Sequence, residues 1–123
     1  MGPAHSTVVN RSDSHICVIT FNKADLLFRF YNNLYVIAPG EAMNVESNPD
    51  PVGHYVAIVY KAEKGVFHYK RWLCNNECEM IVKSIKKYEI EVTGGKYLLH
   101  LTLFIFQKYT YFNNLFTYSQ CGV

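Results

Sequence analysis

The chain has 123 residues, of which half are hydrophobic and 18% are charged. This length suits a single domain with its own core, and this composition excludes intrinsic disorder. A formal charge of +2 is too small to indicate a nucleic-acid partner, because such interfaces need a clustered basic face. No run reaches the roughly 18 apolar residues of a membrane-spanning helix.

Short segments rich in β-branched and aromatic residues recur along the chain, which is typical of strands. In chain order they lie at residues 15–21, 26–31, 34–37, 42–46, 54–60, 66–72, 79–83, 87–92 and 96–108, with a last one within 109–121. No segment keeps the 3.6-residue period of a helix over about ten residues. We therefore expect an all-β fold, a single-domain antiparallel β-sandwich of roughly eight to ten short strands.

Glycine and proline mark the connections between these segments. Residues 38–41 contain a Pro-Gly turn, and residues 47–53 contain two prolines and a glycine, which a sheet ladder does not accommodate. The Gly-Gly pair within residues 93–96 indicates a hairpin turn. Just before it, residues 87–92 alternate between charged and apolar side chains, so we expect Val92 to point inward and its charged neighbours outward.

The first six residues, Met-Gly-Pro-Ala-His-Ser, look like a cloning remnant or a disordered N-terminus. We therefore expect the β-sandwich domain to cover residues 7–123. The triplet Asn10-Arg11-Ser12 has the pattern that accepts an N-linked glycan.

Four cysteines, an even number, indicate disulfides and an oxidising compartment. Cys17 and Cys121 lie near opposite ends of the chain, whereas Cys74 and Cys78 lie close together in its middle. Three pairings exist, and this layout favours a Cys17–Cys121 bridge that closes the domain together with a small Cys74–Cys78 loop. A structural zinc site needs four ligands, usually as two close pairs, so we expect no metal. The expected protein is secreted and stapled by disulfides.

Motifs of catalytic sites are missing from the sequence. No residue lies in a nucleophile elbow, no cysteine carries a protease signature, and the Gly94-Gly95 pair has the pattern of a turn rather than of a phosphate-binding loop. Glu89 and Glu91 share a strand face, but alternate carboxylates on a strand are usually a solvated surface. We expect no enzymatic activity and no cofactor.

The density of aromatic residues is the strongest functional signal: the chain has ten Tyr and eight Phe, and half of these, together with the single Trp, lie in residues 54–72 and 109–118. Two interpretations stay open, because aromatic side chains suit strands and cores as well as exposed binding surfaces. In the second interpretation aromatic rings insert or stack while an arginine and nearby lysines meet anionic groups. The ligand-binding residues would then be Tyr69, Arg71, Trp72, Tyr109, Tyr111, Phe112 and Tyr118.

The order of these features resembles that of small cytolysin-like β-sandwiches, namely the aegerolysins and, less closely, the actinoporins. The shared features are polar residues 10–13, the turn at 37–41, a loop at Gly53, a strand at 55–60, an aromatic strand ending at Trp72, a turn with Cys74, and residues 88–95 before a long strand. The Gly-Thr-rich stretch of aegerolysins and the amphipathic N-terminal helix of actinoporins are missing. The resemblance implies a lipid-binding sandwich that needs a partner protein to perforate membranes.

These observations predict a non-enzymatic secreted module that recognises a membrane lipid head group or a glycan. The alternative is a secreted effector or viral accessory domain that binds a host protein, with the same aromatic residues as its hot spot. A homodimer also stays open, because residues 98–106 and 109–116 would suit strand edges covered by a second copy.

Overall fold

The computed structural model describes residues 4–21, 33–47, 54–61, 67–74, 78–86 and 89–103, together with Asn114. The described residues form nine strands in two sheets, which confirms the all-β expectation and is consistent with a β-sandwich. The strands are β1 (Ala4–Asn10), β2 (Ile16–Phe21), β3 (Asn33–Ile37), β4 (Ala42–Ser47), β5 (His54–Lys61), β6 (Phe67–Cys74), β7 (Cys78–Lys86), β8 (Glu89–Thr93) and β9 (Lys96–Leu103).

The two sheets differ in strand number and direction. One has four strands in the order β4-β1-β7-β8, and the other has five in the order β3-β2-β5-β6-β9. Every neighbouring pair of the five-stranded sheet is antiparallel. In the four-stranded sheet β1 and β7 run parallel, so the expectation of wholly antiparallel pairing is wrong for this pair. A parallel pair joins segments far apart in sequence, which local patterns do not reveal.

The N-terminal segment is an interior strand. β1 lies between β4 and β7, and Ser6 is fully buried. Residues 4–6, part of the segment expected to be a cloning remnant or a disordered N-terminus, thus belong to this strand. Ala4, His5 and Ser6 carry little hydrophobic signal. This part of the strand is held in the sheet by backbone pairing with two neighbours, which a hydrophobic pattern does not reveal.

The two sheets pack face to face over an apolar core, into which alternate residues of each strand point. On β5, for example, Val56, Ile58 and Tyr60 are fully buried in this core. Complete burial of such side chains stabilises the fold by about 1.5–3 kcal/mol each. The other buried members of this core are Val8, Ile16, Val18, Ile37, Val45, Trp72, Cys74, Met80 and Val82.

The opposite face of the five-stranded sheet is buried as well. A second apolar cluster on that face consists of Cys17, Ile19, Ala57, Val59, Phe67 and Tyr69. Strands buried on both faces carry apolar residues at successive positions instead of alternating ones. β6 is an example, since seven of its eight residues are buried. Its continuous aromatic run is therefore a consequence of its central position.

Asn10 ends β1 and connects it to two turns. Its side-chain Nδ2 donates hydrogen bonds to the backbone oxygens of Ser14 (2.8 Å) and Ile37 (3.0 Å), and its Oδ1 accepts from the backbone N–H (3.1 Å) and hydroxyl (2.6 Å) of Ser12. Its backbone N–H donates to the oxygen of Glu41 at 2.8 Å. Because the Asn10 amide is fully buried and bonded inside the fold, it is not accessible as a glycan acceptor in the folded protein.

Residues 93–96 connect the two sheets and do not form the predicted hairpin. β8 pairs with β7 in the four-stranded sheet, whereas β9 pairs with β6 in the five-stranded sheet. Gly94 and Gly95 take φ values of 90° and 70°, which side-chain-bearing residues rarely adopt. A β-carbon at Gly94 would also collide with the backbone oxygen of Glu79. The Gly-Gly pair thus serves a sheet-to-sheet crossing.

Some predicted features lie outside the described residues. They are the strands at 26–31 and within 109–121, the end of the 96–108 segment, and the site residues Tyr109, Tyr111, Phe112, Tyr118 and Cys121.

Candidate functional site

Three of the predicted ligand-binding residues lie on β6, and all three are buried. Tyr69, Arg71 and Trp72 are 0%, 1% and 4% exposed. Tyr69 and Arg71 lie on the face of the second apolar cluster, whereas Trp72 lies in the core between the sheets. The exposed-surface interpretation therefore does not hold for these residues. The reason is that β6 lies between β5 and β9 in a sheet whose two faces are both covered.

Arg71 is a buried charged side chain held among aromatic rings. Its Nε donates a hydrogen bond to the Tyr69 hydroxyl at 2.7 Å. Its guanidinium carbon lies 5.4 Å from the ring centroid of Tyr69 and 5.9 Å from that of Tyr55. Cation–π contacts of this kind offset part of the cost of burying a charge. Arg71 therefore contributes to internal packing, and contact with an anionic ligand would require it to leave these partners.

Among the residues that the structure describes, the exposed large aromatic side chain is on the neighbouring strand. Tyr97, the second residue of β9, is 51% exposed, and Leu98 is 39% exposed. The ring of Trp72 meets Tyr97 edge to face, with centroids 5.9 Å apart and an interplanar angle of 72°. From the same strand as Trp72, the Nζ of Lys70 lies 5.7 Å from the Tyr97 ring centroid. Two buried side chains thus support Tyr97 while its outer part reaches solvent.

Lys96, Tyr97 and Leu98 together are called the corner surface below. All three are exposed, and they follow Gly95 directly at the crossing between the sheets. Sequence reasoning missed this surface because residues 96–108 have the pattern of one long strand, in which the first residues do not differ from the rest. The available signal was the Gly-Gly pair, since the first residues after a crossing start at the margin of the second sheet.

Three sulfur atoms converge just behind the corner surface. The thiol of Cys74 donates a hydrogen bond to the Sδ of Met80, with 3.3 Å between the sulfurs. Burial raises the pKa of the Cys74 thiol, and the hydrogen bond and charge of the adjacent Cys78 raise it further, whereas a hydrogen bond with Ser6 lowers it. Cys74 is buried and Cys78 is half-buried. We call Cys74, Cys78 and Met80 the sulfur cluster.

The predicted Cys74–Cys78 disulfide is not formed. Cys74 and Cys78 are both free thiols, and they lie in different sheets. Cys74 is the last residue of β6, and Cys78 is the first residue of β7. Cys17 is buried in the second apolar cluster, and burial raises the pKa of its thiol in the reduced protein. Its predicted partner, Cys121, lies outside the described residues.

A pocket of about 300 Å³ opens beside the sulfur cluster. Leu73, Cys78, Gly95 and Lys96 line it, so a cysteine and a lysine share one small opening. A β-carbon at Gly95 would lie 3.2 Å from the Sγ of Cys74, closer than ordinary contact. Glycine at this position therefore leaves room between the pocket and the buried sulfur atoms.

The basic residues of β7 lie around a second, more open pocket of about 320 Å³. Its lining combines Arg11, Ser12 and Asp13 with residues 83–86. Lys83 also lies 3.9 Å from Glu91, and both side chains are largely exposed, so this ion pair contributes little to stability. Acidic and basic groups are mixed here, which makes the pocket a weaker candidate for anion binding than a uniformly basic one.

Two further properties can be stated for the described residues. They contain no group of three or more His, Cys, Asp or Glu side chains placed to hold a metal ion. No helix among them is long and apolar enough to cross a membrane.

Comparisons with known proteins do not assign the chain to a family. No known family, no curated protein and no solved structure matches it. The resemblance to aegerolysins and actinoporins therefore stays a prediction.

Proposed function

We propose that the protein is a non-enzymatic binding module that docks on lipid head groups of a membrane through its corner surface. The observation that carries the proposal is the exposure of Tyr97 and Leu98, two consecutive apolar residues near the start of β9. Tyrosine suits the membrane–water interface because its ring is apolar and its hydroxyl is polar. Lys96 lies beside them and offers a charge to anionic head groups.

The expected strength follows from the exposed area. Complete burial of one such apolar side chain is worth about 1.5–3 kcal/mol, and roughly half of each remains to be buried, so Tyr97 and Leu98 together should contribute about 2 kcal/mol. Lys96 should add about 1 kcal/mol on an anionic surface. Such a contact is weak and reversible on its own, and the resemblance to aegerolysins agrees with a module that works with a partner protein.

Leu98 favours a lipid over a sugar as the ligand. A glycan site needs a flat ring with polar groups around it, because sugars offer hydroxyls along their edges. Here an aliphatic side chain stands next to the ring, and it gains more from an acyl boundary than from a sugar face. A glycan would still be consistent with Tyr97 alone, so the experiment includes both ligands.

Vesicle co-sedimentation tests the proposal. We expect binding to phosphatidylcholine vesicles that contain 30% phosphatidylserine, and a shift of Trp72 emission, because Trp72 contacts Tyr97. The double variant Tyr97→Ala with Leu98→Ala should bind about thirtyfold more weakly, from the 2 kcal/mol above. Lys96→Gln should bind about fivefold more weakly, on anionic vesicles only, whereas Lys86→Gln, an exposed lysine of β7, should have no effect.

Two results would reject the lipid proposal. The first is the absence of binding to either type of vesicle. The second is vesicle binding that the double variant of the corner surface leaves unchanged. Binding on a glycan array that depends on Tyr97 would move the function to sugar recognition. A stable host-protein complex lost in the same variant would instead support the interaction module, since a supported tyrosine is also a typical protein hot spot.

An extracellular setting and a Cys17–Cys121 bridge belong to this proposal. A protein secreted without reduction should then hold one disulfide and leave two thiols, Cys74 and Cys78. Peptide mapping of the non-reduced protein, alkylated in denaturant, checks the pairing. Four alkylated cysteines would contradict the bridge.

A further inference from the structure

We propose that Cys74, Cys78 and Met80 form a binding site for one copper(I) ion. The site uses two thiols and one thioether that the fold brings together from the end of one strand and the start of another in the facing sheet. It goes beyond lipid docking, and its residues are separate from Tyr97 and Leu98.

The chemistry of the ligands selects the metal. Thiolate and thioether sulfurs are soft ligands and prefer Cu(I), whereas zinc sites favour four ligands from cysteine and histidine. No third His, Cys, Asp or Glu stands near this pair among the described residues, so the available third ligand is the thioether of Met80. A set of two cysteines and a methionine therefore fits a three-coordinate soft ion better than tetrahedral zinc.

The geometry of the Cys74–Met80 pair needs only a small adjustment. Sulfur atoms around a trigonal ion with bonds of about 2.3 Å lie about 4 Å apart. The Cys74 and Met80 sulfurs are 3.3 Å apart, so they must separate by well under 1 Å. Met80 has three rotatable bonds, and methionine adapts readily to such a change. The S–H···S hydrogen bond shows that the two sulfur atoms already point at each other.

The surroundings provide an entrance and a countercharge. Cys78 lines the pocket of about 300 Å³ that Gly95 leaves next to the sulfur cluster, and Lys96 lines the same pocket. On binding, each thiol releases its proton to solvent, so one Cu(I) with two thiolates carries a net charge of −1. The Lys96 ammonium offsets that charge. Solvent reaches the cluster through Cys78, the half-buried member of the set.

The test is a competition titration of the full chain. The protein is reduced, the reductant is removed under nitrogen, and ascorbate keeps the copper as Cu(I) while bathocuproine disulfonate competes for it. We expect one Cu(I) per chain. Cys78→Ser should weaken binding at least about a hundredfold, and Met80→Leu at least about tenfold. X-ray absorption at the copper edge should show sulfur ligands only.

Matched controls separate loss of a ligand from loss of fold. Met43→Leu changes a methionine that packs against the same core from β4, and Cys17→Ser changes a buried thiol of the other cluster, so neither should alter the affinity. Met80→Leu conserves volume, and unchanged Trp72 emission confirms that it folds. Equal affinity of Met80→Leu and the unaltered protein overturns the proposal. So does equal weakening by Cys17→Ser and Cys78→Ser.

Discussion

Gly94→Ala tests why glycine is needed at the crossing between the two sheets. The reason is either a lack of room for a β-carbon together with the positive φ, or the positive φ alone. The chain offers a matched control in Gly40, which also has a positive φ, of 82° against 90° for Gly94. The difference lies in the surroundings. A β-carbon at Gly40 would have no atom within 4 Å, whereas at Gly94 it would collide with the backbone oxygen of Glu79 and lie 3.2 Å from the Cα of Met80.

The magnitudes follow from these two contributions. A positive φ costs an alanine about 1–2 kcal/mol, and this cost applies at both positions. The gain from a stiffer unfolded chain is also the same at both and cancels in the comparison. At Gly94 the obstacle is backbone, so β7 must move against β8, and overpacking of this kind adds about 1–3 kcal/mol. We expect losses of about 1–2 kcal/mol for Gly40→Ala and about 2–5 kcal/mol for Gly94→Ala.

Urea unfolding followed by tryptophan emission measures both losses, because Trp72 is buried at the same corner. With an m-value of about 2 kcal/mol/M, the midpoint should fall by about 0.5–1 M for Gly40→Ala and by about 1–2.5 M for Gly94→Ala. Equal shifts would refute the steric argument, since the shared cost of positive φ would then explain both. A smaller shift at Gly94 than at Gly40 would mean that the crossing is not packed as described.

Two further predictions concern the buried polar groups. Asn10→Ala removes four hydrogen bonds at a fully buried position and should lower the free energy of unfolding by about 3–5 kcal/mol. The control Asn33→Ala loses one exposed hydrogen bond and should lower it by less than about 1 kcal/mol. Urea unfolding measures both variants, and equal losses would contradict the role of the Asn10 hydrogen bonds. In the reduced native protein at pH 8, iodoacetamide should label Cys78 first. Burial raises the pKa of the Cys17 and Cys74 thiols, so that little thiolate is present at these two residues. Mass mapping that finds Cys17 labelled before Cys78 would contradict this prediction.

Local sequence patterns were sufficient to locate several strands. The segment predicted at residues 54–60 is β5, His54–Lys61, and the segment at 15–21 is β2, Ile16–Phe21. On β8 the alternation predicted Val92 inward, and Val92 packs against the core while the neighbouring Glu91 is exposed. On β8 the period of two is set by one face in the core and one in water, whereas β2 and β5 were located by their continuous runs of β-branched and aromatic residues.

Tertiary position accounts for what the sequence could not predict. The aromatic run of β6 has the same composition whether its faces are covered or open, so Trp72 and Tyr69 could be assigned to a surface as easily as to the core. β1 was missed because its burial comes from two sheet neighbours, one of them parallel and distant in the chain. The Gly-Gly turn was located correctly, but a hairpin and a sheet crossing demand the same positive φ values.

The crossing is also the reason why both proposed sites lie at one corner. Because β8 and β9 belong to different sheets, β9 begins at the margin of its sheet, where the packing that buries Trp72 leaves Tyr97 half open. The same two glycines bring the chain past Cys74 without a side chain, which leaves room beside Cys78. Lys96 belongs to both proposed sites, but the residues that select the ligand differ between them. Leu98 decides the lipid contact and Met80 the soft-metal contact, so either proposal can fail while the other stands.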